Sequence, residues 1–360
     1  YTLSVISFTA ILSILMAVSI NNVSNSTIFY IASTIIFLIP ISELVIQLVQ
    51  YVLGKIVKPK LIPKLDFSEG IDKENATIVV IPTILKSKEK VQELMKKLEV
   101  FYLANKSENL YFALLGDCSQ SDKQEETFDD EVINEGIYQA KILNDKYKND
   151  EGKDKFNFIY RKRVWNDKEG CYLGWERKRG LLNQFNEFIL RMIQDPFKAN
   201  TFKEIPNIKY VITLDADTDL ILNSAFELVG AMSHILNTPV IDENRNVVIQ
   251  GYGIIQPRVG VNLQISCKNL FTKIFAGSGG IDSYTNAISD IYQDNFGEGI
   301  FTGKGIYDIK VFSTVMKGAI PENTVLSHDL LEGNYLRCGL ASDILLMDGY
   351  PTKYISFMTR

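Results

Sequence analysis

From Ala76 onward, short apolar runs alternate with stretches that space apolar residues as a helix does. This rhythm narrows the possible folds more than any other feature of the 360-residue chain. Thr77 to Pro82 (TIVVIP) reads as a buried strand, and Ser87 to Ala104 as a helix with Val91, Leu94, Leu98 and Phe101 on one face. Leu110 to Leu115 (LYFALL) is a second strand, closed by Gly116-Asp117, and Glu126 to Tyr147 an acidic helix. Phe156 to Arg161 is a short strand, Lys178 to Ile193 a helix, and Lys209 to Leu214 another strand. The alternation predicts an α/β fold, a mostly parallel sheet with helices on both faces. Ligands of such a sheet bind where the C-terminal strand ends meet.

Those ends carry acids. Residues 211 to 219 read VITLDADTD, an apolar run that stops at Asp215 and Asp217. Two carboxylates so placed suit a hard divalent cation, and the cation suits a diphosphate. The competing reading is an Asp-rich turn after a strand. Thr83 and Asp117 end two further strands, and acids gathered in one crevice need a cation or hydrogen-bond donors beside them.

The N-terminal part has a different character. Residues 1 to 20 carry no charge, and a second apolar stretch runs from Ile28 to about Leu53, interrupted by Pro40 and Glu43. Each is long enough to cross a hydrocarbon core of roughly 30 Å, with the part after Glu43 expected to leave the membrane or lie along it. A buried helical hairpin is the alternative. No basic start or small-residue cleavage site marks the first stretch as a signal peptide. The loop from Asn21 to Thr27 holds no Lys or Arg, whereas Lys55, Lys58, Lys60 and Lys64 follow the second stretch. Positive charge stays inside, so the polar remainder is expected to face the cytoplasm from a multi-pass inner-membrane anchor. The organisation expected is a membrane region at 1–54, a juxtamembrane linker at 55–75 and an α/β domain at 76–360. The chain starts at Tyr1 within an apolar run, as a piece of a longer protein would.

Three more segments offer chemistry. Residues 174 to 183 (GWERKRGLLN) put Lys178, Arg179 and Gly180 at a helix start, where basic side chains and the helix N-terminus both attract a diphosphate. A solvated basic face is the plainer alternative. Residues 295 to 308 (NFGEGIFTGKGIYD) resemble a phosphate loop but fail its pattern. Gly299 and Gly303 stand too close, and Gly305 occupies the Ser/Thr position. This glycine-rich stretch instead suits close backbone approach to a sugar, with Phe296 and Phe301 to stack on it. Residues 326 to 333 (LSHDLLEG) offer Asp329 as a general base, or as a helix N-cap. With only His234 and His328 in the chain, a histidine-rich phosphohydrolase site is excluded. No nucleophile elbow supports a Ser–His–Asp triad. The net charge of −5 gives no reason to expect nucleic-acid binding. Cys118, Cys171, Cys267 and Cys338 form no C-x-x-C pair, which argues for reduced thiols rather than zinc or a disulfide framework.

Together, VVIPTIL, LLGD, GWERKRGLLNQFN, YVITLDADT, GYGIIQPRVG, DIYQDNFGEGIFTGKGIYD and PENTVLSHDLLEG resemble the glycosyltransferase module of cyclic β-1,2-glucan synthases, family 84, related to the processive family 2 enzymes. The resemblance covers about residues 75 to 355. It implies a GT-A fold, UDP-glucose as donor, a glucan acceptor, Mg²⁺ or Mn²⁺, and inversion at the anomeric carbon. Thr83 and Asp117 would then contact uridine, and Lys178, Arg179 and Gly180 would lie near ribose and diphosphate. Asp215 and Asp217 would bind metal, Asp329 would be the base, and Phe301, Thr302, Gly303 and Lys304 would line the acceptor site. Family members also carry a phosphorylase-like module and an Arg/Trp-containing motif that closes over the diphosphate; neither falls within residues 1–360. A synthase of another linkage and a non-catalytic sugar-binding scaffold are the alternatives.

Overall fold

The computed structural model describes residues 1–21, 27–148, 153–262, 268–275, 291–322, 324–325 and 327–358. Most of the loop expected between the apolar stretches, and Cys267, lie outside the described residues. The chain divides into two compact units, Tyr1–Lys60 with Ser289–Gly297, and Leu61–Ile288 with Glu298–Arg360.

The first unit is built on α1 (Thr2–Asn21) and α2 (Thr27–Ile56). Mean hydropathy is 2.1 over both Thr2–Ser19 and Thr27–Leu53, and only 17% and 6% of those windows are buried. Ile6, Ile28, Ile35 and Ile39 all lie exposed, which the core helices of a water-soluble hairpin avoid. Both helices are long and apolar enough to cross a bilayer. α2 continues through Pro40 to Ile56, so Glu43 interrupts the apolar pattern without ending the helix. At 1.5 Å per residue it is about 45 Å long, more than a hydrocarbon core requires. A short helix, Ile291–Phe296, belongs to the same unit, and Asp294 Oδ1 accepts a 2.7 Å hydrogen bond from the Lys60 amide.

Among the described residues the second unit holds a nine-stranded sheet in the order β6-β3-β2-β1-β7-β12-β11-β13-β8. In chain order it contains β1 (Thr77–Ile84), α3 (Lys88–Ala104), β2 (Leu110–Asp117), α4 (Thr127–Lys146), β3 (Phe156–Tyr160), a small hairpin of β4 (Val164–Asn166) and β5 (Cys171–Leu173), and α5 (Arg177–Ile189). There follow β6 (Ala199–Asn200), β7 (Tyr210–Thr213), β8 (Thr218–Leu220), α6 (Ser224–Ser233) and a second hairpin, β9 (Val240–Asp242) with β10 (Val247–Gln250). β11 (Ile254–Val261), β12 (Gly305–Asp308), α7 (Ile309–Met316), α8 (Asp329–Leu336) and β13 (Cys338–Asp348) complete the site region. β1, β2, β3, β7, β11 and β13 run one way, and β6, β8 and β12 the other. The sheet is therefore mixed but mostly parallel.

Alternation along the strands builds a core on each face. Val79, Ile81, Phe112, Leu114 and Phe158 pack with Leu94 and Leu98 of α3, Val132 of α4 and Leu228 of α6. Ile78, Val80, Ala113, Leu115 and Ile159 pack on the other face with Leu181 and Phe185 of α5 and Phe312 and Val315 of α7. Burial on both faces explains why these strands read as unbroken apolar runs. Ser87 caps α3 by accepting from the Lys90 amide, as its position before the helical pattern anticipates.

The stretch expected as a linker, 55–75, has several roles here. Lys55 is in α2, while Ile62 and Ile71 are buried in the second unit. The Leu65 amide bonds Gly230 O at 3.0 Å. Lys64 pairs with Glu227 at 3.0 Å and Asp343 at 2.7 Å, so this lysine is held by the sheet unit.

Candidate active site

The parallel strands bring their C-terminal ends to one edge. Thr83 lies opposite Gly116 and Ile84 opposite Asp117, while Val80 pairs with Thr213. The Leu214 amide still bonds Val80 O at 3.0 Å, so Asp215 follows directly from the ladder. The chain then turns, with the Thr218 amide on Asp215 O at 3.0 Å, and crosses to β8 against β13. Strand end and Asp-rich turn are thus both real here.

Two adjoining cavities open at this edge. One, about 330 Å³, is lined by Pro82, Thr83, Asp117, Arg177 and Lys178. The other, about 130 Å³, is lined by Lys178, Arg179, Phe301, Gly303, Asp329 and Glu332 among others. Arg177 and Lys178, at the start of α5, belong to both. Glu176 and Arg177, where the chain enters this helix, hold left-handed backbone (φ 52° and 53°). Non-glycine residues in that region are strained, and such strain gathers at functional sites. A larger hollow of about 460 Å³ lies by Ala76, Asn109 and Asn157, at the opposite, N-terminal strand ends, remote from the paired acids.

Lys178 ties the site together. Its Nζ donates to Asp215 Oδ1 at 2.7 Å and to Gly303 O at 3.0 Å. Lys304 Nζ stands 3.4 Å from Asp215 Oδ2 and also pairs with Asp348, whose Oδ1 accepts from Thr218 Oγ1 at 2.6 Å. Burial would raise the Asp215 pKa, but Lys178 and Lys304 outweigh it and hold the carboxyl below its ordinary range. Burial likewise disfavours the Lys304 ammonium, yet Asp348 and Asp215 raise its pKa above the usual lysine value.

Asp329 is the first residue of α8, with His328 at the cap position making no side-chain capping bond. A Cβ on Gly303 would come within 2.9 Å of Asp329 Oδ1, so the glycine lets the carboxyl stand against the loop backbone. Burial pushes Asp329 up; Lys178 opposes this and Asp215 adds to it. A carboxylate of raised basicity beside a cleft is what a general base requires.

The other expected residues are placed as follows. Asp117 is 4% exposed, with Oδ1 at 3.1 Å from Arg161 Nε and accepting from the Cys118 amide at 2.9 Å. Burial raises its pKa against the pull of Arg161. Arg179 is buried, donating to Ile320 O at 2.9 Å with Glu176 at 3.5 Å. Gly180 is shut in: a Cβ there would meet Trp175 O at 1.8 Å, so the glycine serves close packing under α5. Phe301 is 2% exposed and fills a wall, offering no free face for stacking, while Phe296 is exposed. The Thr302 amide and hydroxyl both donate to Gln256 Oε1, at 3.0 and 3.1 Å. Asp217 is half-buried, and its carbonyl accepts from the Gly349 amide at 2.9 Å.

Sequence reasoning missed Asp348, Arg161 and Glu332. Asp348 ends β13 as Asp117 ends β2, an apolar run closed by Asp, so the same signal was present in ILLMDG. Arg161 directly follows β3.

A divalent cation here would need ligands beyond the protein's own side chains. Among the described residues no cluster of three or more His, Cys, Asp or Glu could hold one. Asp217 with Asp215 provides two carboxylates, and Mg²⁺ commonly takes one or two, completing its shell with phosphate and water.

No family profile matches the chain. Over 328 residues, 91% of this chain, it is 39% identical to cyclic β-(1,2)-glucan synthase NdvB of Rhizobium meliloti (strain 1021), and it spans 12% of that protein's length. The resemblance carried by the motifs therefore holds across nearly the whole chain. Among solved structures, galactosyltransferase LgtC with donor and acceptor sugar analogues covers 73% of this chain and 72% of its own at 11% identity and TM-score 0.30. Mannosyl-3-phosphoglycerate synthase from Rubrobacter xylanophilus covers 82% and 77% at 8% identity and TM-score 0.33. Overlaps this loose carry no argument.

Proposed function

We propose, on the premise that this chain is a relative of one segment of cyclic β-(1,2)-glucan synthases, that it is an inverting, membrane-anchored glucosyltransferase. Its donor is UDP-glucose and its acceptor the end of a growing β-1,2-glucan. The observation that carries this reading is the Lys178 bridge, which links Asp215 after β7 to the Gly303 loop facing Asp329.

In this reading UDP lies along the strand ends, with uridine by Thr83 and Asp117 and the diphosphate toward Lys178 and Arg179. Asp117 contributes through a carboxyl already braced by Arg161, so its position is fixed before the nucleotide arrives. Asp217, with Asp215, would hold Mg²⁺ or Mn²⁺, which when bound supplies positive charge to the departing diphosphate. Lys178 adds a further cation to the same region. Asp329 takes the proton from the acceptor's 2-hydroxyl as its oxygen bonds to the anomeric carbon. The bond from that carbon to the diphosphate breaks, and the electron pair leaves with UDP. Attack opposite the leaving group inverts the centre. Gly303 and Thr302 line the acceptor side by backbone, and Phe301 acts from behind as a packed wall.

α1 and α2 provide the anchor. Lys55, Lys58 and Lys60 at its polar end favour a cytoplasmic active site, where UDP-glucose is made available.

Asp217→Ala tests the metal assignment. Calorimetry should show UDP binding that strengthens with Mg²⁺ or Mn²⁺ in the native chain and loses that dependence in the variant. Equal metal dependence in both proteins removes Asp217 from the role. NMR of the product fixes the linkage, since that depends on which acceptor hydroxyl meets Asp329.

A further inference from the structure

One acid in the cleft has no part in the mechanism above. Glu332 lies three residues after Asp329 on α8, so both side chains project from one helix face. Both line the cavity of about 130 Å³. Glu332 is 5% exposed. Asp329 is half-buried. Ionising a carboxyl buried this deeply is costly, and two carboxylates one helical turn apart resist ionising together.

We propose that Glu332 is a positioning residue for Asp329: the two acids hold one proton between them, Glu332 carries it, and Asp329 is thereby left ionised to act as base. The proposal rests on the assignment of Asp329 given above. The charged and titratable groups facing Glu332 are Asp329 of its own helix, Lys178 and Arg179 of α5, and Tyr307 of β12. His328, at the cap of α8, is turned toward Glu176, with Nε2 3.4 Å from its Oε2. Burial, helped by Asp329 and opposed by Lys178 and Arg179, pushes Glu332 up to about 7.

This pairing has a consequence for the donor. While Glu332 is neutral, it adds no negative charge beside Lys178 and Arg179. Once Glu332 ionises, it competes for the same two cations. Ionisation of Glu332 and binding of the diphosphate therefore oppose each other, reciprocally.

The test uses the full chain in detergent, with UDP-glucose as probe and no acceptor, because this diphosphate diester does not itself titrate near neutrality. In the native protein, affinity should fall by about 5-fold or more as pH rises from about 6 to about 8. Glu332→Gln should show no such step, because the amide cannot ionise, whereas Glu332→Asp should restore it. Asp329→Asn should move the step to lower pH, since the charge that hinders Glu332 is gone. A native protein whose affinity is flat over this range overturns the proposal, even if the glutamine variant fails to fold. A glutamine variant that keeps the step overturns it too. Failure of the base assignment is a separate result: Asp329→Asn would then transfer glucose at the native rate, whatever the binding profile shows.

Discussion

Asp117 and Arg161 show how this site is held together one side chain at a time. Asp117 is 4% exposed and Arg161 1%. Arg161 also donates to Trp175 O at 2.6 Å and Arg177 O at 3.2 Å, the segment that leads into α5. It therefore braces an acid and positions a helix start together. Gly174 makes this possible, since a Cβ there would meet Asp117 Oδ1 at 2.0 Å. Arg161→Leu should leave a buried carboxylate without its cation and lower stability by about 3–5 kcal/mol. Denaturant titration checks this, and a loss below about 1 kcal/mol would show that the pair is not structural. At this scale the sequence was partly legible. Acids that end apolar strands announce themselves, as Asp117 and Asp215 do. Arg161 and Lys304 do not, because a basic residue gives no local sign that it is about to be buried against an acid far away in the chain.

Elements were legible where burial on both faces or helical spacing made the pattern strong. β1, β2, β3 and β7 lie within a residue or two of where their apolar runs place them. α5 ends at Ile189, four residues short of Ile193, and Arg191 takes left-handed backbone (φ 59°) just beyond. A helix stop made by a residue other than glycine leaves no mark in the sequence. β12 was hidden in the glycine-rich stretch. Gly305 (φ 150°) lies so close to β11 that a Cβ would meet Ile255 O at 2.2 Å, so a glycine read as a loop marker is a strand residue under close backbone contact. The burial of Phe301 is not readable locally, because an aromatic in such a stretch gives no clue to which side it faces. Here Gly333 of α8 leaves room for it, at 2.9 Å between the Phe301 Cβ and an added Cβ. Two glycines test this view of packing. Gly180→Ala, blocked by Trp175 O, should cost several-fold more stability than Gly170→Ala, which meets nothing within 4 Å and bears only the cost of its left-handed backbone (φ 64°), about 1 kcal/mol. Equal melting temperatures for the two variants would mean that α5 moves aside freely.

At the scale of the whole molecule, two units of different physical character share one chain. One exposes apolar helix surface that only lipid or another apolar partner can cover, and the other carries a mixed sheet with both faces buried. The full chain should stay with the membrane fraction after alkaline carbonate extraction; release into the supernatant would mean that α1 and α2 do not span. The mostly parallel sheet and the edge that gathers the acids follow from the alternating rhythm after Ala76. The far half of the sheet, β11 to β13, pairs strands distant in sequence and could not be read locally. The central claim is that Asp329 takes a proton while glucose leaves UDP. Its most direct test follows labelled glucose from UDP-glucose onto a β-1,2-linked oligoglucan, with Mg²⁺ or Mn²⁺, using the full chain in lipid nanodiscs and Asp329→Asn beside it. Transfer by the native chain is expected, with a fall of about 10²-fold or more in the variant. Transfer by Asp329→Asn at the native rate would contradict it.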